Sequence, residues 1–387
     1  MYLGNKIPLL SIYFKLPENV KHILFFSVLR SLFFAAAGIY IPIFIFDSLG
    51  IFYVILYFLL YYGIFQILCT IIVKELLKKK SAEFLQTLSI FFIFLQLLCL
   101  NFFKGPHLVI STAFFGSLAL VFFWLPQHLI FGIFGRRREL AKEFVVVNIA
   151  MILILVFFPS ISAVLINVLN YSLFFLLISL IILIFAVFGI FYFKQSRKIK
   201  IKTPGKRIKK KFSKLFVLEG LFASFYIMMD IVIYMLVKDI LIFGIVKSGL
   251  MLLSALTAYI ISKRVDKRHD YALATIGIMV RSNIFTALFF SFNATTAIIG
   301  ALLLGLVAPI ADTPFSSFLY NMAKKYGAEV IYHHEMLLGF SRLMGFLIFL
   351  ILSLNESMFL AAIICILLGI TYYFTSIGEE IREFIAS

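Results

Sequence analysis

Twelve apolar runs of about twenty residues or more, each followed by a polar break, constrain the fold of this chain more than any motif does. They fall at Val20–Phe46, Ile51–Val73, Phe84–Phe103, Leu108–Phe134, Phe144–Leu169, Ser172–Phe193, Leu215–Val237, Ile240–Ser262, Tyr271–Phe292, Thr295–Leu319, Met336–Leu354 and Ser357–Ser376. A hydrocarbon core of about 30 Å is crossed by about 20 residues of helix. Lipid offers no partner to a free backbone N–H or C=O, and barrel strands are far shorter than these runs. The sequence therefore predicts an all-α integral membrane protein with twelve transmembrane helices. Of the 387 residues, 63% are apolar and 14% charged, against about 45–50% and 25% in soluble domains. That excludes a water-soluble globular fold. The first run exceeds the roughly 7–15 apolar residues of a secretory leader, so it reads as a retained span.

The net charge of +17 does not point to nucleic acid, because the bases lie between apolar runs and not on a solvated face. They set orientation instead. With the N-terminus inside, every second connection is basic: Lys74–Lys80, Arg136–Lys142, Lys194–Lys214, Lys263–Arg268 and Lys324–Lys325. Only Lys104 and Lys238 fall in outer turns, while Arg30, Lys247, Arg281 and Arg342 lie within spans. Both termini are expected in the cytoplasm of a multi-pass cell-membrane protein. The stretch Lys194–Lys214 holds eleven bases and no acid. It reads as a solvated linker drawn to anionic inner-leaflet lipid, at about 1 kcal/mol per base. It divides the chain into 1–193, 194–214 and 215–387, with six spans on either side. Cys69, Cys99 and Cys365 sit inside apolar runs without metal-ligand spacing and read as packing residues.

Six plus six spans, internal termini and a basic central loop together resemble the major facilitator superfamily of secondary transporters. The loop after span 8, Ser262-Lys263-Arg264-Val265-Asp266-Lys267-Arg268, keeps the Asp and following bases of that family's loop signature but lacks its glycines. After span 2, Lys74-Glu75-Leu76-Leu77-Lys78-Lys79-Lys80 keeps only charge. The resemblance implies two six-helix bundles built from inverted three-helix repeats. It also implies a substrate site near the bilayer midplane, lined by spans 1, 4, 7 and 10.

Those four spans carry unusual polar content. Span 1 has Arg30; span 4 has Trp124, Gln127 and His128; span 7 has Asp230 with Tyr226 and Tyr234 at i, i+4; span 10 has Asp312 between Pro309 and Pro314. A buried membrane charge costs at least ~2.5–3.5 kcal/mol on insertion scales, so each should face a partner or a cavity. Asp230 and Lys247 lie at nearly equal depth, about 12–14 Å from the turn near Asp239, and Asp312 and Arg342 are similarly matched across the loop joining spans 10 and 11. Both pairs can be structural ion pairs as readily as functional groups. Arg30 and Arg281 have no such local partner, and Arg30 is read as a cationic anchor. Glu219 reads as an interfacial carboxylate or a proton acceptor. Tyr53, Tyr57 and Tyr61 form a stripe that suits packing better than a pathway. His333-His334-Glu335 reads as a polar loop end, since no second cluster completes a metal site.

Phosphate-binding loops, nucleophile elbows, zinc-protease helices and repeated filter segments are all missing from the sequence. An enzyme, an ATP-driven pump and a pore are therefore disfavoured, and no cofactor or metal is expected. Three readings stay open: a proton-coupled carrier working by alternating access, a lipid or lipid-linked glycan flippase of the multidrug and oligosaccharide exporter type, and a non-transporting scaffold. Four intramembrane cations face three acids, which favours an anionic or zwitterionic small solute carried by a monomer.

Overall fold

The computed structural model describes residues 18–134, 140–192, 205–268 and 272–386, and over these residues it is helical with no strand. The first span is α1 (Glu18–Phe33), a π-helical segment π1 (Phe34–Gly38) and α2 (Ile41–Leu49). The second is α3 (Ile51–Phe58), π2 (Leu59–Ile64) and α4 (Phe65–Leu77). Then follow α5 (Ala82–Phe102), α6 (Gly105–Phe134), α7 (Leu140–Tyr192), α8 (Lys206–Val237) and α9 (Ile240–Arg268). The last four are α10 (Ala272–Phe290), α11 (Ala294–Tyr326), α12 (Glu329–Ile348) and α13 (Leu354–Ala386).

Among the described residues, ten helical stretches are long and apolar enough to cross a membrane. The difference from the twelve expected runs has two sources. The runs Phe144–Leu169 and Ser172–Phe193 join in α7, one stretch over Ile154–Val187. It breaks at Asn170, which adopts φ 65° and whose Oδ1 accepts from the Leu173 amide at 3.2 Å. Asn tolerates the left-handed region and caps a new helix there. The second is α12, which carries Glu329, His333, His334, Glu335 and Arg342 and does not stand among the ten.

The hairpin between α8 and α9 shows how short polar breaks set helix positions. Lys238 takes the left-handed conformation and closes α8, while Asp239 Oδ1 accepts from the amides of Leu241 and Ile242 at 2.8 and 2.9 Å and opens α9. Residues equally far from this turn therefore face each other at one depth. Phe102, Val168, Ile184, Phe290 and Ile351 are largely exposed; in water they would form an aggregation surface, and in lipid they form the outer face.

Where hydrophobic force between helices is weak, small residues let backbones approach and gain dispersion contacts. Helices α8 and α12 meet this way twice. A Cβ on Gly220 would lie 2.7 Å from Ser341 Cβ, and one on Gly345 would overlap the Ser224 hydroxyl. Gly220 with Ser224, and Ser341 with Gly345, are each i, i+4 pairs on facing stripes. Gly345→Val should push the helices apart and destabilise the protein by about 1–3 kcal/mol or more, read as a lower thermal midpoint, whereas Gly205→Ala, in open space, should leave the midpoint unchanged.

Candidate functional site

The first polar group collects around Arg30. It is buried on α1, and its Nη1 donates to the Ala119 carbonyl at 3.2 Å, which also accepts from Ser89 Oγ at 2.9 Å. The guanidinium carbon lies 4.8 Å from the Phe123 ring centre and 5.9 Å from that of Trp124. One turn earlier, Ser27 Oγ donates to Gln127 Oε1 at 3.2 Å. Span 4 thus presents both Trp124 and Gln127 to the Arg30 face of span 1.

The segment π2 brings in the tyrosines. A π-turn adds a residue to the helical register, a feature frequent at functional sites. Here Tyr61 and Tyr62 meet edge to face with ring centres 4.4 Å apart, and the Tyr57 ring centre lies 5.3 Å from that of Tyr61. Gln96 Nε2 donates to the Tyr57 hydroxyl at 3.3 Å. Gly116 packs against Tyr61 and Gln96, where any Cβ would collide. From the other side, Arg342 on α12 lies 5.3 Å above the Tyr62 ring and donates from Nη1 to Gln66 Oε1 at 3.1 Å. Arg30 and Arg342 both act electrostatically on Tyr61 and Tyr62. Neither arginine has a carboxylate at ion-pair distance among the described residues.

A second group belongs to α8, α10 and α11. Arg281 Nη2 lies 2.7 Å from Asp312 Oδ2 and 2.7 Å from the Ala308 carbonyl. Together with Glu219, Phe222, Tyr226 and Phe315 they line a cavity of about 200 Å³. Asp312 therefore pairs with Arg281 and not with the depth-matched Arg342, and Arg281 is not the unpartnered cation that the sequence suggested. Equal depth fixes height along the bilayer normal but not which neighbour a helix faces. Gly277, one turn before Arg281, lets α10 come so close to α11 that a Cβ would sit 2.6 Å from the Ala311 nitrogen.

Lys247 Nζ lies 2.7 Å from Asp230 Oδ1, the pair that hairpin geometry matched. The two tyrosines flanking Asp230 diverge from it. Tyr226 packs beneath Arg281, 5.9 Å from ring centre to guanidinium. Tyr234 donates to Asp47 at 2.9 and 3.1 Å, and Tyr171 donates to the same carboxylate at 3.0 Å. The side chains of Asp266, Lys267 and Arg268 lie outside the described residues, as does residue range 193–204.

A third group was not foreseen as a unit. His128 Nδ1 on α6 lies 2.9 Å from Glu335 Oε1 on α12, while His334 Nε2 meets Glu219 Oε2 at 2.8 Å. Ser213 Oγ and His333 Nε2 are 2.9 Å apart. The residues read as a polar loop end are buried within a helix. A signal existed in the sequence: His128 and Glu335 each fall in or beside an apolar span, where neither is stable without a partner.

No family profile and no curated protein sequence matches the chain. Solved structures do. The human organic anion transporter MFSD10 (TETRAN) superposes with a TM-score of 0.69 at 12% identity, covering 92% of this chain and 100% of that one. A POT family transporter matches in complex with a thioalcohol-conjugated peptide and in complex with 5-aminolevulinic acid, with TM-scores of 0.71 and 0.70. Each has 12% identity and covers 94% of this chain and 96% of the other. The all-helical, multi-span membrane chain thus has the fold of major facilitator superfamily transporters, as its sequence resemblance implied.

The Asp230–Lys247 pair yields a stability test. Asp230→Asn leaves the buried Lys247 ammonium uncompensated, which costs about 3–5 kcal/mol for a buried pair. The double change Asp230→Asn with Lys247→Met should recover most of that loss in thermal melts. A double mutant no more stable than the single would show that the pair is not what holds the two groups in place.

Proposed function

We propose that this protein is a secondary active transporter that moves a small anionic or zwitterionic solute by alternating access. The observation that carries the reading is the meeting of Arg30 and Arg342 at the tyrosine pair Tyr61–Tyr62. Asp230, Asp312 and Glu219 each have another partner, Lys247, Arg281 and His334 respectively. Two arginines are thereby left facing a shared polar surface, where a planar guanidinium can hold a carboxylate or phosphate with a two-pronged hydrogen bond. Trp124, Gln127, Tyr57 and Gln96 supply an aromatic wall and hydrogen-bonding groups. The structural relatives agree in chemistry: one is an organic anion transporter, and another holds 5-aminolevulinic acid, which has both an amine and a carboxylate.

In this reading twelve spans form two six-helix bundles, 1–193 and 215–387, joined by a cytoplasmic linker at 194–214, with both termini in the cytoplasm. Substrate binds between the bundles. The coupling ion is H⁺, and Asp312 is its best-placed acceptor: its side chain is 62% exposed, into a cavity shared with Glu219, and protonation would release Arg281. Asp230, half-buried and paired with the buried Lys247, is the second coupling candidate.

Binding is testable without a transport assay. In a thermal-shift screen of small carboxylates and phosphates on purified protein, a ligand that stabilises the wild type should bind Arg30→Gln or Arg342→Gln at least about tenfold more weakly, the loss expected from one charged hydrogen-bond partner. Arg30→Lys, which keeps charge and loses the fork, should fall between. Wild-type affinity in both Gln variants would overturn the anionic site. For orientation, a cysteine at position 104 should react with an impermeant reagent added outside and one at position 206 should not; the reverse result inverts the topology.

A further inference from the structure

His128 and Glu335 come from helices 207 positions apart in sequence, and with His334 they bring three metal-ligating atoms within 4.8 Å of one another. His128 Nδ1 lies 2.9 Å and His334 Nδ1 3.6 Å from the same atom, Glu335 Oε1. Tetrahedral ligands about 2.0–2.1 Å from a zinc ion are about 3.3 Å apart, a value these separations bracket.

The electrostatics of His334 identify what is needed there. Its Nε2 faces Glu219 at 2.8 Å, which leaves Nδ1 as the nitrogen open to a second cation: a proton in the imidazolium, a metal ion on the neutral ring. That Nδ1 is buried, has no hydrogen-bond partner among the described residues, and points toward a carboxylate oxygen. At 3.6 Å the contact is too long for a hydrogen bond. Held between two carboxylates in a dry site, Nδ1 calls for a cation facing Glu335, and the spacing of the three ligand atoms accommodates a metal ion as well as a proton. Glu219 has the position of the carboxylate that orients a metal-bound histidine through its other nitrogen. Phe216, Trp124 and Tyr320 wall the group, with ring centres 4.8 to 5.9 Å from the imidazoles. His128, with 17% of its side chain exposed, leaves an access route.

We infer that His128, His334 and Glu335 form a binding site for a divalent transition metal of the zinc class, with Glu219 as its orienting carboxylate. Two imidazoles and one carboxylate suit Zn²⁺, with a fourth position for water. Because the ligands lie on α6 and α12, the ion ties these two helices together.

The test uses the full chain, free of any histidine tag, stripped with chelator and titrated with ZnCl₂ alone by calorimetry and by thermal melting. The wild type should take up one ion per chain with saturation below about 100 µM and a higher melting midpoint, since a ligand bound only by the folded state stabilises it. His128→Asn removes the least buried ligand and should abolish the midpoint shift. Glu219→Gln keeps all three ligands and should weaken binding about 10–100-fold, the usual effect of losing an outer partner. Should Glu335→Gln fail to fold, these two variants decide the matter. No saturable uptake by the wild type, or equal affinity in His128→Asn, would overturn the site and leave a proton-bearing His–Glu cluster. Neither readout depends on transport, so failure here would leave the anion-carrier reading standing.

Discussion

Lipid does not solvate charge, and most of the polar architecture follows from that. Each ionised group inside the spans must meet an opposite charge, a dipole or water, since an isolated ion in a low-dielectric medium costs many kcal/mol. Asp230 meets Lys247, Asp312 meets Arg281, and Glu219 meets His334. Arg30 and Arg342 are instead held by the Ala119 carbonyl, the Gln66 amide oxygen and aromatic faces. Such dipoles and ring quadrupoles stabilise a cation without cancelling its charge. The positive charge near Tyr61–Tyr62 is therefore not cancelled, and the proposed function rests on it.

The same constraint shaped what the sequence could reveal. The apolar runs were legible as helices because each must satisfy its own backbone, although two of them share α7 and ten stretches of the described residues are long and apolar enough to span. The Asp230–Lys247 contact was legible because a tight turn at Lys238–Asp239 equates sequence distance with depth. Asp312 and Arg342 satisfied the same arithmetic and yet do not pair, because the rotation of α11 about its axis is set by packing against α10 through Gly277. Sequence spacing contains no information on that rotation.

The tyrosines and histidines were illegible for a related reason. A straight helix predicts that Tyr53, Tyr57 and Tyr61 share a stripe. The π segment at Leu59–Ile64 changes the register, so Tyr62 joins Tyr61 at the centre. The contact of His128 with Glu335 was illegible because the two lie 207 positions apart, and only the tertiary fold makes them neighbours. Arg30, Trp124 and Gln127 stood out as polar or unusual residues on spans 1 and 4, which the family resemblance implies line a cavity, and the fold brings these two spans together there.

Helices assigned to opposite halves touch at several levels, Arg342 with Gln66 and Ser160 with Ser248 among them, and the contacts toward the two ends differ in strength. At the Asp47 end, the contact is a hydrogen bond from Tyr234 to an exposed carboxylate, which water can replace at a net cost of about 0.5–1.5 kcal/mol. At the His128 end, parting α6 from α12 separates a His–Glu contact whose carboxylate is only 7% exposed and which adjoins the His334–Glu219 pair. Each buried partner left behind must be hydrated or neutralised before the gap widens, so the barrier there is higher. On the alternating-access reading, the Asp47 contact is the easier of the two to part and the His128 contact the harder, and a cation bound there would raise the cost of separating α6 from α12 without touching the solute.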